Sequence, residues 1–147
     1  MAMAVRALDA RDKVRWSELF GAYIAFYEAL VPDAVVETTW QRLMRGNPGD
    51  PEGLVVLDTA GGIVGIAHLL FHASTWSATA YCYLEDLFVD PAVRGQGAGR
   101  ALIEAAYALA DARGATRTYW MTREDNTTAR ALYDRLATRS PFVQYRR

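Results

Sequence analysis

The chain predicts a mixed α/β fold in which a mostly antiparallel central sheet is flanked by helices. Three observations carry this. Two β-type runs meet across the tight turn TAGG at 59–62 as a hairpin. Amphipathic helical periodicity fills the stretches before and after the middle strands. Near the end the order strand, helix, strand returns, which demands a crossover and so a parallel pair.

Taken in order, residues 4–8 read as a first strand and Asp9 as a helix cap. From 11 to about 30, Trp16, Phe20, Tyr23 and Tyr27 fall on one stripe of an amphipathic helix. Pro32 stops it and opens a second helix to about Arg45, and the run GNPGDPEG at 46–53 is a turn-rich connection. The hairpin strands lie at 54–58 and 63–71, and a further strand runs from about 78 to 89. A helix rich in alanine and leucine occupies 99–113 and stops near Gly114. Residues 116–122 read as a strand, 127–138 as a helix and 142–145 as a last strand, giving β-α-α-β-β-β-α-β-α-β.

Bulk composition narrows the function. At 147 residues, 52% hydrophobic and 22% charged, the chain fits one domain over 1–147 with a sizeable core. A net charge of −1 and the absence of a basic cluster speak against a nucleic-acid partner. No window approaches the ~18 apolar residues of a membrane span, and the charged N-terminus lacks a signal-peptide core. Cys82 is the only cysteine, so no intrachain disulfide forms and a reducing, cytoplasmic setting is expected. His68 and His72 share a strand face at period two, but with no third ligand in view no metal site is expected.

The run VDPAVRGQGAGR at 89–100 crowds three glycines between a strand and a helix. Free N–H groups at a helix N-terminus, with about half a positive charge from the helix dipole, make an anion site suited to phosphate. A dinucleotide-binding fingerprint needs glycine or alanine where Arg100 or Leu102 stands, and a P-loop needs a Gly-Lys-Ser/Thr that is absent. What the loop does match is Arg-x-x-Gly-x-Gly at Arg94, Gly97 and Gly99, after an apolar strand ending at Val89.

This motif resembles the acyl-CoA-binding motif of the GNAT superfamily of N-acetyltransferases. The likeness extends through YLEDLFVDP at 83–91, the long helix, YWMT at 119–122 and EDNTTARALY at 124–133, covering about residues 54–145. The later pattern, through YRR at 145–147, is closest to the histone/polyamine acetyltransferase-like branch. The chain departs from the family after the last helix, where LATRSPF at 136–142 replaces the frequent Leu-Gly-Phe.

The resemblance implies splayed central strands that hold acetyl-CoA as co-substrate. Backbone of Gly95, Gln96, Gly97, Ala98, Gly99 and Arg100 would take the pyrophosphate with Arg94, and Leu87, Phe88 and Val89 would take pantetheine as a pseudo-strand. Asn126 is either a coenzyme contact or a plain helix cap, and both roles are compatible. Tyr133 is implied as the acid that protonates the departing thiolate, the alternative being a core aromatic. Glu85 is implied as the base that draws a proton from the amine, the alternative being a salt bridge to an arginine.

Asp86 joins Glu85 in drawing a cationic acceptor. Because adjacent strand residues face opposite ways, both carboxylates cannot be buried in one core. Tyr23, Tyr27 and Glu28 would wall the acceptor pocket, although an aromatic stripe at helical spacing also suits a core. The expected reaction is acetyl transfer to a primary amine (polyamine, amino acid or lysine-like, free or in a peptide) by direct attack in a ternary complex. A non-catalytic acyl-CoA-binding module of the same fold is the alternative. Small family members commonly pair through C-terminal strands, which implies a homodimer.

Overall fold

The computed structural model describes residues 3–147. Five strands form one sheet in the order β1-β2-β3-β4-β5: β1 (Ala4–Ala7), β2 (Glu52–Leu57), β3 (Ile63–His72), β4 (Tyr81–Val89) and β5 (Arg117–Tyr119). All neighbours are antiparallel except β4 and β5, which run parallel through the crossover helix α3 (Ala98–Ala112). Helices α1 (Lys13–Phe26) and α2 (Asp33–Arg45) precede β2, and α4 (Thr127–Leu136) closes the chain's regular structure.

Two cores lie on opposite faces of the sheet. On one, Leu54, Val56, Ala67, Leu69, Cys82 and Leu84 meet Leu102, Ile103 and Ala106 of α3, with Leu132 and Tyr133 of α4 packed alongside. On the other, Val55, Ile66 and Phe88 meet Trp16 and Leu19 of α1 and Trp40 and Leu43 of α2. The alternation along β2 explains the division, since successive side chains serve different cores.

Local chemistry sets the ends of elements. Asp9 and Asp12 form a reciprocal capping box before α1, so Asp9 caps as the sequence predicts. Asp58 accepts from the backbone N–H of both Ala60 (2.9 Å) and Gly62 (2.8 Å), which closes the hairpin turn. Gly46 and Gly114 sit in the left-handed region just past α2 and α3. Helix α1 ends at Phe26, earlier than its apolar stripe suggests, because Tyr27 and Glu28 turn the chain away.

Two expectations need correction. The strand expected at 116–122 pairs over Arg117–Tyr119 alone, and the strand expected at 142–145 does not form. Phe142, Val143 and Tyr145 are instead exposed, and Pro141 precedes them. A strand exists only where its N–H and C=O groups meet another edge. The segment carries β-type residues but finds no ladder partner among the described residues.

The short β5 has a consequence for the site. Its pairing with β4 stops at Tyr83↔Tyr119, while β4 continues to Val89. From Leu84 onward β4 keeps β3 on one side and has no strand on the other. The sheet therefore opens between β4 and the chain leaving β5, as the expected splay requires.

Candidate active site

The loop that joins β4 to α3 starts from a firmly held point. Arg15 of α1 reaches Asp90 (2.8 Å) and the carbonyl of Ile63 (2.9 Å), while Asp90 caps the next turn through the N–H of Ala92 (3.0 Å). The Ala92 N–H and the Arg15 guanidinium hold the Asp90 carboxyl below its ordinary range. Gly95 (φ 81°) and Gly97 (φ 90°) then take left-handed conformations that cost other residues about 1–2 kcal/mol each.

Among the described residues, no carbonyl or side chain accepts from the N–H of Gly95, Gln96, Gly97, Ala98, Gly99 or Arg100. These six donors surround the N-terminus of α3, where the helix dipole is positive. An anionic diphosphate fits that chemistry. Gly99 has a different use, since a Cβ there would touch Leu132 at 3.4 Å and Val89 at 3.8 Å; it lets α4 and β4 approach α3. Arg94 lies over the rings of Phe26 and Phe88, 5.5 Å from each centroid. Arg100 extends along α3 to Glu104 (2.8 Å), so its backbone rather than its guanidinium serves the loop.

The opening beside β4 forms a cavity lined by Tyr23, Tyr27, Leu84, Glu85, Leu87, Trp120, Met121 and Tyr133. Helices α1 and α4, strand β4 and the segment leaving β5 thus converge on one point. Glu85 reaches it through a β-bulge. Leu84 pairs with Leu69 and Asp86 with His68, so two steps along β4 answer one step along β3 and Glu85 has no cross-strand partner. The bulge also resets the alternation, leaving Leu84 and Leu87 on the α3 side while Phe88 packs on the α1 side. Burial first and the Asp86 carboxylate second raise the Glu85 carboxyl above its usual value, which favours a proton acceptor.

Tyr133 projects from α4 against Trp120, ring centroids 5.4 Å apart and nearly edge to face. Burial, then the neighbouring Tyr27, pushes its phenol up to about 12, so it keeps its proton at neutral pH. Tyr23 and Tyr27 meet edge to face at 5.1 Å. Burial and the Asp86 carboxylate push the Tyr23 phenol well above its ordinary range. The stripe on α1 is therefore divided: Trp16 is core, whereas Tyr23 and Tyr27 face the cavity.

The remaining sequence-predicted residues are distributed as follows. Leu87 lines the cavity, Phe88 is buried in the α1 core, and Val89 packs near Gly99. Asn126 stands at the N-cap of α4 but makes no capping bond; its amide donates to Thr122 Oγ1 (3.1 Å). Glu28 sits in a left-handed corner beside Tyr27, φ 53°. Asp86 is not part of the cavity lining, and its Oδ2 instead bonds His68 Nδ1 at 2.8 Å. Cys82 is fully buried, and burial pushes its thiol up to about 11, unsuited to a nucleophile.

Of the expected acceptor wall, Tyr23 and Tyr27 line the cavity and Glu28 does not, while sequence reasoning did not pick out Leu84, Trp120 or Met121. Trp120 and Met121 read as interior to a strand, and only the early end of β5 frees them to face the opening.

An open mixed sheet, a parting between its parallel strands and an anion-binding helix N-terminus beside the gap define an N-acyltransferase class of fold. Residues 16–137 match the Acetyltransferase (GNAT) family, and the chain belongs to that family. It is 33% identical over 150 residues to the D-amino-acid N-acetyltransferase HPA3 of Saccharomyces cerevisiae, covering 99% of this chain and 90% of that one. It is 32% identical over 113 residues to the thialysine N-epsilon-acetyltransferase of Bos taurus, covering 74% of this chain and 62% of that one. The fold superposes on the ribosomal-protein-alanine N-acetyltransferase from Brucella melitensis biovar Abortus with a TM-score of 0.81 at 20% identity, over 99% and 97% of the two chains. The protein is an acyltransferase. Among the described residues no helix is long and apolar enough to cross a membrane.

Proposed function

We propose that this enzyme transfers the acetyl group of acetyl-CoA to a primary amine of a small acceptor, an amino acid or a lysine-like compound. The observation that carries the reading is the meeting of Glu85 and Tyr133 in one cavity, next to the glycine loop. Acetyl-CoA supplies an activated thioester. The N–H groups from Gly95 to Arg100 hold its diphosphate, and the unpaired edge of β4 from Leu84 to Val89 receives the pantetheine arm.

Glu85 takes the proton of the attacking ammonium, directly or through water. As the new C–N bond forms and the C–S bond breaks, Tyr133 gives its proton to the departing sulfur. A raised carboxyl and a phenol still protonated at neutral pH suit these opposite tasks. Holding both substrates together supplies a further share of the acceleration. Tyr23, Tyr27 and Glu85 line the cavity, with Asp86 behind Glu85 and Glu28 next to Tyr27, so the acceptor side is aromatic and negative, which selects a cation. The yeast relative's action on D-amino acids and the bovine one's on thialysine place both acceptors in this chemical class.

Calorimetric titration with acetyl-CoA, followed by thiol release measured over amino acids, lysine analogues, polyamines and lysine peptides, tests the reading. Binding with release on one amine class supports it. Binding without release on any amine would favour an acyl-CoA-binding module.

A further inference from the structure

A buried polar chain starts in the α1 core and ends behind the cavity. His68 is 2% exposed, with the ring of Phe20 edge-on to it at 5.0 Å. Its Nε2 lies 2.9 Å from Trp16 Nε1, and its Nδ1 lies 2.8 Å from Asp86 Oδ2. An indole nitrogen can only donate. Nε2 of His68 must therefore present its lone pair to Trp16, which puts the ring proton on Nδ1, aimed at Asp86. The tautomer follows from the neighbour's chemistry rather than from any assumption about pH.

Asp86 is the residue next to the bulged Glu85, and its charge bears on two groups that line the cavity, Tyr23 and Glu85. Resting on the acetyltransferase reading above, we propose that His68 and Asp86 are positioning residues for the acceptor half of the site. The Trp16 N–H locks His68 as an Nδ1–H donor, and that donor pins Asp86 behind the β4 bulge so that Glu85 and Tyr23 are presented to the amine in one arrangement. The device fits its location. A bulge leaves Glu85 without a cross-strand partner, so the orientation of this turn of strand must come from a side-chain anchor on the opposing strand. His68 supplies it from the cross-strand position opposite Asp86.

Four readouts test this. In the free wild-type protein, imidazole nitrogen NMR is expected to show His68 protonated at Nδ1 and bare at Nε2. A ring protonated at Nε2, or at both nitrogens, overturns the proposal. In steady-state kinetics His68→Leu, which keeps the volume apolar, is expected to lower kcat for the amine about tenfold or more while the acetyl-CoA KM stays within about twofold. His68→Gln can accept from Trp16 and donate to Asp86, and is expected to recover most of that loss. Equal impairment of the two variants would mean packing alone, and wild-type kinetics in His68→Leu would end the proposal.

If His68→Leu fails to fold, Trp16→Phe removes only the locking N–H and keeps an aromatic ring in place. A mixed His68 tautomer with reduced kcat supports the lock, and an unchanged tautomer refutes it. Asp86→Asn supplies the charge test. Tyr23 of α1, Tyr27 just past its end, His68 of β3, Tyr83 and Asp86 of β4 and Tyr133 of α4 surround Glu85, with Arg146 beyond Tyr83. Asp86 is the anion among them, so its neutralisation moves the acidic limb of kcat/KM to lower pH; an unmoved limb counts against the role. A wild-type chain that acetylates no amine sinks the acetyltransferase reading, whereas the NMR tautomer still decides whether the anchor exists.

Discussion

Two corners of this molecule turn the chain through the left-handed region beside the cleft, and they do it with opposite kinds of residue. The corner before α3 uses glycine at Gly95 and Gly97. The corner after α1 uses Glu28, the one described non-glycine residue with positive φ. In the first, under the function proposed, the backbone is itself the ligand-binding surface and a side chain would contribute only strain. In the second, the backbone is bonded like an ordinary helix end, with Ala29 N–H to Ile24 and Glu28 N–H to Ala25. Glycine would serve that geometry better, so the carboxylate is kept despite the conformation. On that proposal the coenzyme half of the site is made of main chain, and the acceptor half of side chains.

The largest effect expected from breaking this division is in the acceptor half. Glu85→Gln should lower kcat about a hundredfold or more with acetyl-CoA binding intact, measured by single-turnover kinetics and calorimetry. The same variant should be slightly more stable than wild type at neutral pH. The folded state raises the Glu85 carboxyl, so it binds that proton more tightly than the unfolded chain does. Stability then falls as pH rises through the ordinary value of 4.5 toward the raised one. Glutamine removes that penalty, so the small Tm gain at pH 7 should vanish below that ordinary value. An equally active Glu85→Gln enzyme would remove the base from this residue.

Tyr133→Phe ranks next, with kcat down about tenfold to a hundredfold. Loss should be smallest for acyl thioesters whose thiol is more acidic, because such a leaving group needs less help from a proton donor. A loss that ignores the thiol's acidity would mark Tyr133 as packing against Trp120 instead. In the coenzyme half, Gly97→Ala forces a Cβ into a left-handed conformation costing about 1–2 kcal/mol, although nothing lies within 4 Å of that Cβ. Acetyl-CoA affinity should weaken about tenfold while the amine KM holds. Unchanged calorimetric affinity would show that the loop's conformation does not matter to binding.

The same contrast explains what was legible in the sequence. Left-handed backbone at a strand–helix junction is encoded locally, since glycine is needed where the turn occurs, and the loop can be read from a dozen residues. The order of elements was legible for a similar reason, whereas the parting of β4 from β5 came only from the family resemblance. The bulge at Glu85 was not, because it exists only in the register against His68 and Leu69, and alternation along β4 alone predicts opposite faces for Glu85 and Asp86. The Trp16–His68–Asp86 chain joins three elements, the first two residues standing 52 positions apart. The missing last strand failed in the converse direction. Its residues have strand propensity, but propensity cannot supply the edge to which a strand must bond.

The smallest and most discriminating test returns to Glu28. Glutamate in this corner costs about 1–2 kcal/mol of backbone strain. Glycine relieves it but gives back roughly 0.5–1 kcal/mol through the greater freedom of the unfolded chain. Glu28→Gly should therefore be more stable by about 0.5–1 kcal/mol in urea denaturation, while its KM for a cationic amine rises about twofold to threefold from loss of one exposed carboxylate. Glu28→Gln keeps the strain and removes the charge, so it should show the same KM rise with no gain in stability. If both variants bind the amine as wild type does, the strain at Glu28 has no part in acceptor selection. The two corners would then differ in residue type alone, and the acceptor's cation would be recognised by the β4 carboxylates without help from α1.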